Sequence, residues 1–171
     1  MTDSNQPAKE AALVIVRQFD APKNEVFDAF ANPESMAAWW GPGGHPVKII
    51  KFDFIPGGLF HYKIEMNGQD MYGRFIYGQI VPYDLLEFTN SFSDENGGII
   101  RAPFSAEWPL EVFNRISFSE QDGKTTITMS GYPVNATEAE NKMFMTAQAN
   151  IKQGLNGTFQ QLEGFLKRES K

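Results

Sequence analysis

The stretch Thr137–Lys167, TEAENKMFMTAQANIKQGLNGTFQQLEGFLK, decides how the rest of the chain must fold. Phe144, Ala147, Ile151, Leu155, Phe159, Leu162 and Leu166 recur at intervals of three and four residues, with Lys152, Asn156, Gln160, Glu163 and Lys167 between them. That spacing lines one face of an α-helix, so a single long amphipathic helix is predicted. Thr137-Glu138-Ala139-Glu140 marks its start as a capping box, and Lys167 and Arg168 suit the negative end of its dipole. About thirty residues at roughly 1.5 Å each would reach ~45 Å, which suits a helix running the full width of a sheet. Gly154 and Gly157 interrupt the pattern, each at roughly 1 kcal/mol relative to alanine. Two readings are open: a kink, or a close approach that leaves room between the helix and the layer beneath.

The sheet lies upstream. Leu13–Phe19 is a β-branched run, and Pro22 then opens a short helix carrying Val26, Phe27 and Phe30. A second short helix, Glu34–Trp40, stops at Gly41-Pro42-Gly43-Gly44. Val47–Ile55, Leu59–Met66, Met71–Val81, Leu85–Phe92, Leu110–Ser119 and Lys124–Tyr132 follow as strands. Asn67-Gly68 and Asp122-Gly123 between them favour two-residue hairpin turns. The expected fold is α+β: a curved antiparallel sheet of about seven strands wrapped around the C-terminal helix.

With 171 residues, 42% hydrophobic and 21% charged, the chain is expected to form one domain over residues 11–171 behind a disordered tail at residues 1–10. A net charge of −6 argues against nucleic acid and anionic membrane surfaces as partners. Without cysteine there is no disulfide or thiol nucleophile, and the N-terminus lacks the basic and apolar regions of a signal peptide, so a cytoplasmic location is expected. His45 and His61, the only histidines, lie on different elements without metal-ligand spacing, and no metal or cofactor is expected. His61, Lys63 and Glu65 share what reads as the outer, solvated strand face.

Several spaced motifs together carry a resemblance. Arg17-Gln18-Phe19-Asp20-Ala21-Pro22, Asn32-Pro33-Glu34, Ala38-Trp39-Trp40-Gly41-Pro42, Phe52-Asp53 with Pro56-Gly57-Gly58, and Ile80-Val81-Pro82 resemble the heat shock protein 90 ATPase activator homologue family. That family belongs to the START-like, or SRPBCC, helix-grip superfamily. The similarity runs from about Leu13 to Leu166, and Leu155 stands where many members have tryptophan. The resemblance implies a cavity between the C-terminal helix and the sheet. Strand alternation supplies Phe52, Phe54, Phe60, Tyr62, Ile64, Met66, Phe75, Leu86, Phe88, Phe92, Val112, Ile116 and Phe118 as its walls. Phe144, Ile151, Leu155 and Phe159 face them from the helix. Trp39 and Trp40 mark the mouth, where at least one tryptophan is expected to be a structural plug. Arg17 and Arg74 are the candidate polar contacts, because an inward charge needs a partner or a ligand. The irregular stretch from Ser93 to Pro109 reads either as a lid or as a surface excursion.

Binding of a small hydrophobic or amphipathic ligand is the preferred function, because no confident inward acid or base is visible. An enzyme of the cyclase or hydratase sort using the same cavity is the alternative, and a co-chaperone module rests on the family resemblance alone. A homodimer is left open.

Overall fold

The computed structural model describes residues 13–169; the expected tail at residues 1–10 lies outside the described residues. Strand β1 (Leu13–Phe19) is followed by helices α1 (Lys23–Ala31) and α2 (Pro33–Trp39). Then come β2 (Val47–Phe52), β3 (Leu59–Met66), β4 (Gln69–Val81), β5 (Leu85–Ser93), β6 (Val112–Gln121) and β7 (Lys124–Pro133). Helices α3 (Glu138–Thr146) and α4 (Gln148–Glu169) complete the chain. The seven strands form one antiparallel sheet in the order β1-β7-β6-β5-β4-β3-β2, a meander closed by the return of β1 beside β7.

Local chemistry places the turns. Asn67 and Gly68 have φ of 54° and 79°, and Asp122 and Gly123 have 56° and 77°, the left-handed pairs that short hairpins require. Register then sorts the side chains. Tyr62 lies opposite Gly73, Gly73 opposite Phe92, and Asn90 opposite Val112, so these residues share the inner face. The register shifts at Ile49/Lys51 and at Tyr77/Ile80, irregularities that bend a sheet.

The C-terminal segment differs from the single helix its spacing predicts. It breaks at Ala147 (φ −88°, ψ 1°), whose N–H is shared between the carbonyls of Met143 and Phe144. Two packing demands meet there. Helix α3 contacts β7 and turns Phe144 onto Trp108, with ring centroids 5.8 Å apart, whereas α4 packs on α1, α2 and β1 through Thr158, Phe159, Leu162 and Leu166. The capping box is present, with Thr137 Oγ1 accepting from the Glu140 N–H and Glu140 Oε1 accepting from the Thr137 N–H. The helix runs through Gly154 and Gly157 without a break.

The core lies between the inner sheet face and the helices. Phe75 and Phe88 stack at 4.1 Å, Phe60 and Trp40 meet Phe75 edge-on, and Phe159 bridges Phe19 and Trp39. Offset and edge-to-face pairs of this kind add about 0.5–1.5 kcal/mol each beyond burial. They fill the middle of the concave face with rings.

Candidate functional site

Beyond that ring cluster, at the ends of β3, β4, β5 and β6, the inner face opens into a cavity of about 200 Å³. Tyr62, Ile64 and Met66 of β3 form one wall together with Met71 of β4 and Pro42 of the glycine-rich connection. Phe92, Val112, Trp108 and Pro109 form the other, with Asn90 on the floor. No residue of α3 or α4 lines it. The resemblance anticipates a space between helix and sheet; this cavity lies at the strand ends, beyond the rings of Phe60, Phe75, Phe88 and Trp40.

Tyr62 is held over Gly73 so closely that a Cβ there would sit 2.4 Å from its hydroxyl. Burial pushes the phenol above its usual value, against the smaller lowering effect of a hydrogen bond from the Trp40 indole N–H. It therefore stays neutral. Asn114, buried on β6, donates through Nδ2 to Asn90 Oδ1 at 2.8 Å and to the Val112 carbonyl at 3.1 Å. The residues lining the cavity bring no carboxylate, imidazole, amine or guanidinium to it.

Of the expected lining residues, Tyr62, Ile64, Met66, Phe92 and Val112 reach the cavity. Trp40 touches it indirectly through Tyr62. Trp39 is the plug: 1% exposed, its indole N–H donates to the Ala29 carbonyl at 2.9 Å. Phe75, Phe88 and Phe159 belong to the packed core, with Phe52, Phe54, Ile151 and Leu155 at its margin. Phe144 backs Trp108 from behind. Gly154 and Gly157 are exposed, and a Cβ at either would meet nothing within 4 Å, so neither glycine makes room for a ligand beneath the helix.

Arg17 does point inward, and its partner is Glu163 of α4 at 3.0 Å, with a second bond to the Asn156 carbonyl. Arg74 lies on the outer face, where its Nη1 donates to the Gly97 carbonyl at 2.8 Å. His61, on the face that reads as solvated, is 3% exposed, because the turn at Asp94–Gly98 folds back over it. Its Nε2–H donates to the Asp94 carbonyl at 3.1 Å. The amides of Gly98 and Asn96, in that order, hold the Asp94 carboxyl below the usual carboxylate value.

The stretch from Ser93 to Pro109 thus wraps around the strand ends where β5 leads into β6. Its first part covers His61 outside, and its second part presents Trp108 inside. Arg101 fastens the second part, donating to the Trp108 carbonyl at 3.1 Å and to Glu140 at 2.5 Å. Asn90, Asn114, Met71, Trp108 and Pro109 were not among the sequence-derived site residues. A signal for the first two existed, since asparagine interrupts the inward alternation Phe88-Asn90-Phe92 and Val112-Asn114-Ile116. A larger groove of about 460 Å³ between α1 and the end of α4 is open, polar and rimmed by Glu25, Asp28 and Glu169. Among the described residues no group of three or more His, Asp or Glu side chains is placed to hold a metal ion.

A curved antiparallel sheet gripping a C-terminal helix, with a cavity at one end of its concave face, defines a START-like helix-grip protein. Residues 20–167 match the model of the Activator of Hsp90 ATPase homolog 1-like protein family, and the chain belongs to that family. Solved structures agree on the fold. A protein of Arthrobacter aurescens is 24% identical with a TM-score of 0.77, covering 95% of this chain and 88% of its own. One from Staphylococcus epidermidis is 26% identical with a TM-score of 0.75, covering 93% and 91% respectively. A protein described as putative in the dynemicin biosynthetic locus is 17% identical at a TM-score of 0.64, covering 92% of this chain and 47% of its own. No curated protein sequence matches this chain.

Proposed function

We propose that this protein binds a small apolar or amphipathic molecule, without transforming it, in the cavity between Tyr62 and Trp108. The observation that carries the reading is the composition of the walls: aromatic and thioether side chains around a concave space, with the neutral polar groups of Tyr62 and Asn90 among those that can orient a guest. General acid–base chemistry needs a group poised near the working pH. The titratable side chain in the lining best placed to act is the Tyr62 phenol, which its surroundings hold neutral, so binding is favoured over a cyclase-like or hydratase-like reaction. Size narrows the guest. About 200 Å³ is below the ~300–1,000 Å³ of drug-sized sites and comparable with the roughly 150 Å³ cavity that admits benzene. A single ring with a short substituent fills a space of this size.

Trp108 is the reporter of this site, because its indole forms the wall while Trp39 is sealed in the core. Titration with ring-sized apolar compounds is expected to change indole emission in the parent protein and in Trp39→Phe, and to lose most of that change in Trp108→Phe. A response that survives intact when Trp108 and Trp40 are both replaced by phenylalanine would place binding elsewhere.

A further inference from the structure

The polar groups of the cavity are biased toward donation. Asn114 Nδ2 serves both Asn90 Oδ1 and the Val112 carbonyl, at 2.8 and 3.1 Å. Its amide is fixed against Gly131, where a Cβ would come within 2.7 Å of Asn114 Oδ1. That bond orients the Asn90 amide, with its oxygen turned toward Asn114. Asn90 lines the cavity, so the group it turns to a guest is the Nδ2 amide, which carries two N–H donors. Tyr62 reaches the same end state by a different route. Its oxygen accepts from the Trp40 indole, which leaves its own O–H proton to give.

We infer that the cavity selects a neutral, ring-sized molecule bearing one acceptor oxygen of the carbonyl or ether class, and that Asn90 determines this selectivity. The inference rests on the binding reading above and gives it a ligand class. A carboxylate would gain the same hydrogen bonds but would lose its hydration with no cation to replace it. An ammonium group would find ring faces and an acceptor oxygen already shared with Asn114, but would lose its hydration with no carboxylate in the lining to replace it. A hydrocarbon of the same shape would displace water from Asn90 and leave its N–H groups unpaired, which costs more than a formed hydrogen bond contributes.

The test uses four compounds of one shape, acetophenone, ethylbenzene, benzoate and benzylamine, with dissociation constants from calorimetric titration. Acetophenone is expected to bind about five- to tenfold more tightly than ethylbenzene, the worth of one net hydrogen bond. Benzoate and benzylamine are expected to bind more weakly than either. Asn90→Leu should weaken acetophenone and spare ethylbenzene. Asn90→Asp keeps the shape and the bond from Asn114 but offers the guest an acceptor, so it should move the preference toward benzylamine even if the leucine variant folds poorly. Equal affinities for acetophenone and ethylbenzene in the parent protein, or benzoate as the tightest guest, overturn the donor inference while leaving the cavity reading standing. Failure of all four compounds to bind overturns both.

Discussion

A methyl group at Gly73 would overlap the Tyr62 ring, whereas one at Gly157 would meet open space. Gly73→Ala must push the phenol off the strand and away from Trp40, an overpacking change of about 1–3 kcal/mol. Gly157→Ala fills an exposed interior position of α4, where alanine is favoured by about 0.8–1 kcal/mol. Urea unfolding is therefore expected to show midpoints moving in opposite directions for the two variants, and movement in the same direction would refute the placement of one of them. The sequence drew attention to the wrong glycine for a physical reason. Gly157 interrupts a visible helical stripe, but its direction is set by the flank of the helix that meets the sheet, a long-range contact. Gly73 sits inside a strand, where a missing side chain signals close approach of another group, and its partner becomes known only through the β3–β4 register.

Among the elements, the connection from Ser93 to Pro109 was legible only as a stretch without period. Its two roles, shielding His61 outside and presenting Trp108 inside, depend on contacts with residues far away in sequence, such as the one between Arg101 and Glu140. Glu140 joins that connection to the start of α3, since the same carboxylate closes the capping box and holds Arg101. Burial raises its pKa, but the Thr137 amide and the Arg101 guanidinium outweigh burial and hold it below the ordinary 4.5. A carboxyl depressed in the folded state contributes stability that is present above pH 4.5 and is lost as pH falls through the folded value. Glu140→Gln keeps the capping geometry but not the charge, so at neutral pH it should cost less than about 1 kcal/mol. Thermal midpoints measured from pH 7 down to pH 3 should then fall less steeply in this variant than in the parent. Parallel curves would remove Glu140 from the acid response.

At the scale of the whole molecule, most of the architecture could be read from the chain. The Asn67-Gly68 and Asp122-Gly123 turns, strand alternation and the stripe on the C-terminal helix each carry local geometry, and a meander with one covering helix follows from them. The break at Ala147 and the position of the cavity could not be read, because both depend on how large rings share one volume. Phe75, Phe88, Phe60 and Trp40 stack where a ligand was expected, and the unfilled space is left at the strand ends. The fold is shared with proteins no more than about a quarter identical, so the function must be argued from that space itself. Its most direct test is a crystal of the protein soaked with iodobenzene and measured for iodine anomalous scattering. The account predicts one strong iodine peak walled by Tyr62, Phe92 and Trp108, with the helix and the ring cluster undisturbed. A cavity filled by its own side chains, or iodine found only beneath α4 or in the acidic groove beside α1, would contradict it.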